Sequence, residues 1–229
     1  MIHGGGKVAT ELSAKMGIET KMIDGRRITD EATIKVVTMV YAGLINKNIV
    51  AQLQSLKCNA IGLCGADGNI IPATKRTGSE IDYGFVGDVS EFKVQNSKFK
   101  VFIDNHMIPV IAPITHDEKG VLLNTNADTI ASTIAVALSE TYDVSLFYCF
   151  EKNGVLANPN DNNSWLKKIN SNEYIALKEN GVVNKGMIPK LDNAFDAMQK
   201  GVKETYICHA DHLNSIVEQK EIIGTALVL

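Results

Sequence analysis

Short apolar, β-rich runs alternate along this chain with longer helical patterns, and that alternation limits the fold more than any other feature. The runs "NAIGL" (59–63), "IPVIAPI" (108–114), "DVSLFYC" (143–149) and "TYICH" (205–209) are bounded by polar or glycine residues and read as buried strands. The clearest helix covers about 30–56, where Ile34, Val37, Tyr41 and Leu44 recur at helical spacing. Thr29 or Asp30 can cap its start, and Glu31 suits the positive end of its dipole. Further helices are expected at about 127–140, 187–200 and 211–219. Strands that alternate with helices predict an α/β fold with a mostly parallel sheet covered on both faces. The glycine-rich segment 64–95 differs: its alternating "FVGDVSEFKV" predicts hairpins. The polar "NPNDNNS" (158–164) predicts a surface loop.

The 229 residues, 45% of them hydrophobic, suffice to bury the core of one large domain or two small lobes. The formal net charge is −3 and no block of like charges occurs, which argues against nucleic acid or an anionic membrane as partner. Runs such as "IPVIAPI" are too short to span a bilayer, and no basic-plus-apolar leader opens the sequence. Cys58, Cys64, Cys149 and Cys208 form no C-x-x-C pair, so free thiols in a reducing cytoplasm are expected.

Several segments carry chemistry. The opening "MIHGGGKVAT" places three glycines, Gly4 to Gly6, between a short apolar stretch and a helix expected from Lys7 to Met16. Glycines let a ligand oxygen approach the backbone amides, and the helix adds the positive end of its dipole, so the loop suits a phosphate or carboxylate. A tight turn explains the same glycines without a ligand. Gly4-x-Gly6-x-x-Ala9 also fits a dinucleotide fingerprint, with Asp24 near the offset of a ribose acid. In "DGRRITD" (24–30) two arginines precede a helix, and a guanidinium fork grips a carboxylate with two hydrogen bonds. In "LLNTNADTIA" (122–131) Asn126 is a natural N-cap and Asp128 suits a first turn, which leaves the amide of Asn124 for a ligand. In "GMIPK" (186–190) Lys190 sits at a helix start, an unfavourable end for a cation unless an anion is near. His209 and His212 have no evident third partner for a metal.

Read in order, "HGGG" (3–6), "GRRITD" (25–30), "VVTMVYAGLINKNIVAQL" (36–53), "GLCGADG" (62–68), "GFVGDV" (84–89), "IPVIAPI" (108–114), "NTNADT" (124–129) and "GMIPK" (186–190) resemble the acetylglutamate kinase branch of the amino acid kinase family. The resemblance runs through nearly the whole chain. It implies a three-layer sandwich with an open, mainly parallel central sheet. It also implies a substrate-binding and dimerisation lobe at about 1–140 and an ATP-binding lobe at about 141–229. The implied reaction is ATP-dependent phosphorylation of N-acetyl-L-glutamate in the cytoplasm, with Mg2+ carried on the ATP. By the same resemblance Gly5 and Gly6 meet the substrate and the transferred phosphate, Arg27 grips the α-carboxylate, and Asn124 binds the acylated amino acid. Asp128 orients active-site lysines and Lys190 neutralises charge on the ATP side. A homodimer is implied, formed partly through the helix at 30–56.

Three departures from the family pattern stand out. The family's Lys-x-Gly-Gly strand, expected ahead of "HGGG", is missing, so an N-terminally incomplete chain is expected; an impaired remnant is the alternative. The usual Thr-Asp of the ATP-side turn is replaced by Cys149-Phe150, with Glu151 as the nearest carboxylate. Lys185 stands where a glycine is common. The acyl group stays open between acetyl and succinyl, and a dinucleotide-binding oxidoreductase remains a competing class.

Overall fold

The computed structural model describes residues 1–23, 25–78, 80–158, 160–183, 187–218 and 223–229. The chain forms two compact units, Met1–Thr133 and Ile134–Leu229.

In the first unit Ile2 bridges in parallel to Ile111, and the glycine triplet leads directly into helix α1, Gly6–Lys15. A two-residue hairpin follows, β1 (Met22–Ile23) with β2 (Arg26–Arg27), in antiparallel register. Helix α2 (Glu31–Thr38) starts at Asp30, whose carboxylate accepts a hydrogen bond from the Thr33 amide at 2.8 Å. Asp30 is therefore the cap, while the Thr29 hydroxyl donates to the Arg27 carbonyl. Winding then loosens to a π-helix over Met39–Ile45 before α3, Asn46–Ser55.

The π segment corrects one expectation. Ile34, Val37 and Tyr41 are buried as their spacing predicts, but Leu44 is 51% exposed. A π turn holds an extra residue, so the apolar stripe shifts by one position. Ile45 replaces Leu44 against the core of Ala9, Val36, Val37, Val40, Ala112 and Ile114. By length and composition alone, Glu31–Ser55 could cross a bilayer, unlike the short runs of the sequence reading. In this unit its inward face packs on that core.

Strand β3 (Ala60–Cys64) pairs in parallel with β6 (Ile108–Ala112), in the register Ala60 opposite Ile108. Between them the expected hairpin appears as β4 (Ala73–Lys75) antiparallel to β5 (Gly87–Val89), followed by α4, Asn96–Asp104. The run 108–114 is not one strand: it breaks at Pro113, which offers no amide to a ladder. Its last residue opens β7 (Ile114–His116), which pairs antiparallel with β8 (Leu122–Asn124). Helix α5 (Ala127–Ser139) carries the chain across the boundary between the units.

The second unit holds a four-stranded sheet of order β10-β12-β11-β9: β9 (Ser145–Phe150), β10 (Lys168–Asn170), β11 (Glu204–His209) and β12 (Thr225–Val228). Its β9–β11 and β10–β12 pairs are parallel and β11–β12 is antiparallel. Helix α6 (Ser171–Glu179) begins with a capping box in which Asn170 and Glu173 exchange hydrogen bonds. Helix α7 (Ile188–Gln199) buries Leu191, Ala194, Phe195 and Met198, and α8 (Leu213–Val217) is short. The Tyr174 hydroxyl donates to Asp192 at 2.6 Å and Lys178 donates to the same carboxylate, which ties α6 to the first turns of α7. Parallel ladders combined with helices give the expected α/β class.

The glycine loop rests on a buried polar network. The carbonyl of Gly4 can only accept, so the His3 imidazole donates to it through Nδ1, at 2.8 Å. His3 Nε2 then accepts from Asn46 Nδ2 at 3.3 Å, and Asn46 also donates to the Val110 carbonyl at 2.8 Å. Lys47 donates to Asn46 Oδ1, so this fully buried amide is satisfied at both ends.

Two outcomes follow. Asp30→Ala should lower unfolding free energy by about 1 kcal/mol, the usual worth of a side-chain N-cap, measured by urea titration at neutral pH. Burial pushes the His3 imidazole below its ordinary value of 6.5. The folded state thus resists protonation more than the unfolded chain does. Its contribution is complete above about pH 6.5 and is lost as pH falls from there through the lower folded value. His3→Asn keeps a donor for Gly4 but does not titrate, and its urea midpoint should vary less between pH 7 and 5 than that of the wild type.

Candidate functional site

Four of the residues singled out in the sequence are brought together in the first unit. Gly5 lies on the π segment so closely that an added Cβ would sit 2.6 Å from Ile45 Cδ1 and 2.7 Å from Tyr41 Cδ1. Only glycine fits there. Gly4 and Gly6 are exposed, and an added Cβ on either would meet nothing within 4 Å, so that side of the loop is open. Helix α1 has no side-chain cap and no acidic residue in its first turn. The positive end of its dipole is therefore not offset by a local carboxylate.

The hairpin register sends Arg26 outward and Arg27 inward, where it is 8% exposed. Three bonds brace its guanidinium. Nη2 donates to the Gly6 carbonyl at 3.0 Å and to Thr10 Oγ1 at 2.8 Å, and Nη1 donates to Thr20 Oγ1 at 3.1 Å. A second connection leaves Arg27 by its backbone: its carbonyl accepts from Thr29, whose Oγ1 accepts in turn from Asn124 Nδ2 at 3.1 Å. Asn124 ends β8, and its backbone N–H donates to the Phe85 carbonyl at 2.8 Å. Gly6, Arg27, Thr29 and Asn124 thus form one hydrogen-bonded chain, with Gly5 beside it. A cationic fork, a neutral amide and a helix start free of local acid suit an anionic, amide-bearing ligand.

Asp128 lies in the first turn of α5, with its amide donated to Asn126 Oδ1 at 2.7 Å; Asn126 accepts from Thr129 as well, as expected of a cap. Sequence reasoning missed Thr10, Thr20 and Thr29, which hold the arginine and the asparagine. Thr29 had a signal, since it stands two residues after Arg27. Thr10 and Thr20 had none, because isolated threonines occur throughout the chain.

Lys190 and Glu151 belong to the second unit. Lys190 lies in the first turn of α7, with Nζ 4.7 Å from the centre of the Tyr148 ring, a cation–π arrangement. Glu151 is exposed and directly follows β9. A pocket beside that strand end is lined mainly by apolar side chains, among them Phe150, Val155, Leu156, Val182, Val183 and Met187. Its apolar walls could take a flat aromatic group. Asp24 and Lys185, both noted in the sequence, lie outside the described residues. Among the described residues no group of three or more His, Cys, Asp or Glu side chains could hold a metal ion.

Comparison with known proteins gives the family. The family model described as "Amino acid kinase family" matches residues 1–209. The acetylglutamate kinase of Cytophaga hutchinsonii is 55% identical over 229 residues, covering 100% of this chain and 86% of that protein. The acetylglutamate kinase of Parabacteroides distasonis is 51% identical over 214 residues, 93% of this chain and 83% of that protein. Among solved structures, a protein from Streptococcus mutans UA159 superposes with a TM-score of 0.81 at 27% identity, covering 99% of this chain and 84% of that one. These matches replace the dinucleotide reading of the glycine triplet. The chain belongs to the amino acid kinase family.

Proposed function

We propose that this chain transfers the γ-phosphoryl group of ATP to the side-chain carboxylate of N-acetyl-L-glutamate. The products are N-acetyl-L-glutamyl 5-phosphate and ADP, in the second step of arginine biosynthesis. The observation that carries the reading is 55% identity along the whole chain to a protein named acetylglutamate kinase. The chain Gly6–Arg27–Thr29–Asn124 adds physical support, because its donors match an acylated amino acid with two carboxylates.

The nucleophile needs no general base. A glutamate side chain has a pKa near ~4.3 and is ionised at neutral pH. The difficulty is repulsion between that carboxylate and a polyanionic triphosphate, so catalysis consists of positioning and charge neutralisation. The guanidinium of Arg27 holds the α-carboxylate, pre-oriented by Thr10 and Thr20. The amide of Asn124 bonds the N-acyl group. Backbone amides of Gly5 and Gly6, at the positive end of α1, meet the phosphoryl group as charge moves onto it. In the second unit Lys190 neutralises nucleotide phosphates, and the pocket of Phe150, Val155 and Leu156 receives the base. Asp128 orients lysine ammonium groups, and Glu151 serves the ATP-side turn. Mg2+ carried with ATP would neutralise part of the phosphate charge.

The segment up to about residue 140, which contains the first unit, is the substrate and dimerisation lobe; the remainder binds ATP. Exposed Met39 and Leu44 on the long helix support a homodimer. The four unpaired cysteines support a cytoplasmic location.

ADP release that depends on N-acetyl-L-glutamate tests the reading, run beside N-succinyl-L-glutamate and free L-glutamate. Equal turnover with either competitor, or none with all three, overturns it. Arg27→Ala should raise the KM for N-acetyl-L-glutamate by about 10–100-fold, the worth of a charge-assisted hydrogen bond, and change kcat much less. An unchanged KM removes Arg27 from the substrate. Lys190→Ala should lower kcat by about 10²–10³, as loss of one preorganised cation or donor does. Normal turnover in that variant refutes its role.

A further inference from the structure

The second unit holds a thiol pair that the reaction does not use. In the parallel β9–β11 ladder Cys149 stands directly opposite Cys208, so both side chains project to one face of the sheet. Their sulfurs are 3.9 Å apart, within hydrogen-bonding distance. Cys149 is exposed, while Cys208 beside it is fully buried. Adjacent strands run about 4.8 Å apart, which lies inside the Cα separations that disulfides span. The paired positions therefore meet the backbone separation that a disulfide needs.

We propose that Cys149 and Cys208 form a reversible dithiol switch, in which Cys149 is oxidised first by a hydroperoxide and Cys208 resolves it to a disulfide. In the first step the Cys149 thiolate attacks a peroxide oxygen. The O–O bond breaks, the departing oxygen leaves as water or alcohol after taking a proton, and Cys149 becomes a sulfenic acid. In the second step the Cys208 sulfur attacks the Cys149 sulfur. The S–O bond breaks and hydroxide leaves as water with the Cys208 proton. Two thiols lose two electrons and the hydroperoxide gains them.

The electrostatics agree with this order. The hydrogen bond shared with Cys208, opposed by partial burial and aided by the Lys190 charge, lowers the Cys149 thiol to about 7. The same shared hydrogen bond, together with burial, pushes the Cys208 thiol strongly up. The exposed thiol with the lowered pKa is the reactive partner, and the buried thiol within reach is the resolving one. Cys64 is the contrast: burial and the nearby Asp67 carboxylate hold its thiol up.

The test uses the full reduced chain, treated with hydrogen peroxide, alkylated, digested and read by mass spectrometry. The expected product is a Cys149–Cys208 linked peptide, lighter by two hydrogens than the sum of its parts, with Cys58 and Cys64 still alkylated. Dithiothreitol should reverse it. Cys208→Ser should halt the sequence at a sulfenic acid on Cys149 that dimedone captures, and Cys208→Ala repeats this if the serine variant folds poorly. Cys149→Ser should leave Cys208 unoxidised. The proposal is overturned if wild-type Cys149 passes to sulfinic acid without a link to Cys208, or if Cys58 or Cys64 oxidises before the pair.

Discussion

The approach of Gly5 to the π-helical turn is the contact on which the first unit's site depends. A glycine backbone set against Tyr41 and Ile45 leaves no room for any other residue, and it fixes where α1 starts. From that start the Gly6 carbonyl receives Arg27, and the Arg27 carbonyl leads through Thr29 to Asn124. The position of each polar group is thus inherited from a packing contact between apolar side chains and a bare backbone. On the other side of the loop, His3 and Asn46 anchor it to the Val110 carbonyl with no buried donor wasted among them.

This arrangement suits a reaction whose obstacle is charge repulsion. A guanidinium that must grip a carboxylate loses little entropy when threonines already hold it in place. Amides at a helix start need no reorientation as charge develops near them. In the second unit a comparable economy acts on α7: Tyr174 and Lys178 converge on Asp192, two residues beyond Lys190. Holding the helix at its first turns limits the positions that the lysine stem can reach.

Much of this was legible in the sequence, for identifiable reasons. Strands at 145–150 and 204–209 follow from runs with aromatic or β-branched residues, the strand at 60–64 from a short apolar run between Asn59 and Gly65, and α5 and α7 from their helical patterns. The glycine triplet, Arg27 and Asn124 were recognisable because their order and spacing resemble a known family. The shift from Leu44 to Ile45 was not legible. Ile34, Val37, Tyr41 and Leu44 satisfy a regular α period, and nothing local announces a wider turn. Helix α6 was missed because Tyr174 is its main buried residue, although the Asn170–Glu173 capping box was there to be read. The break at Pro113 was readable from the proline alone. Thr10 and Thr20 come from segments outside the arginine hairpin, and only the folded backbone unites them with Arg27.

The π segment also bears on how such a chain can change over generations. One surplus residue in the turn rotates everything after it, so Asn46 faces His3 and Val110 only because that surplus is kept. Removing one residue anywhere in 39–45 would restore even winding and swing the amide out of the interior. It would also take away the seat beneath the loop in a single event. Length variation in this lineage should therefore collect at surface turns such as Asp161–Ser164, while the span between the helix cap and Asn46 stays fixed in count even where its letters drift.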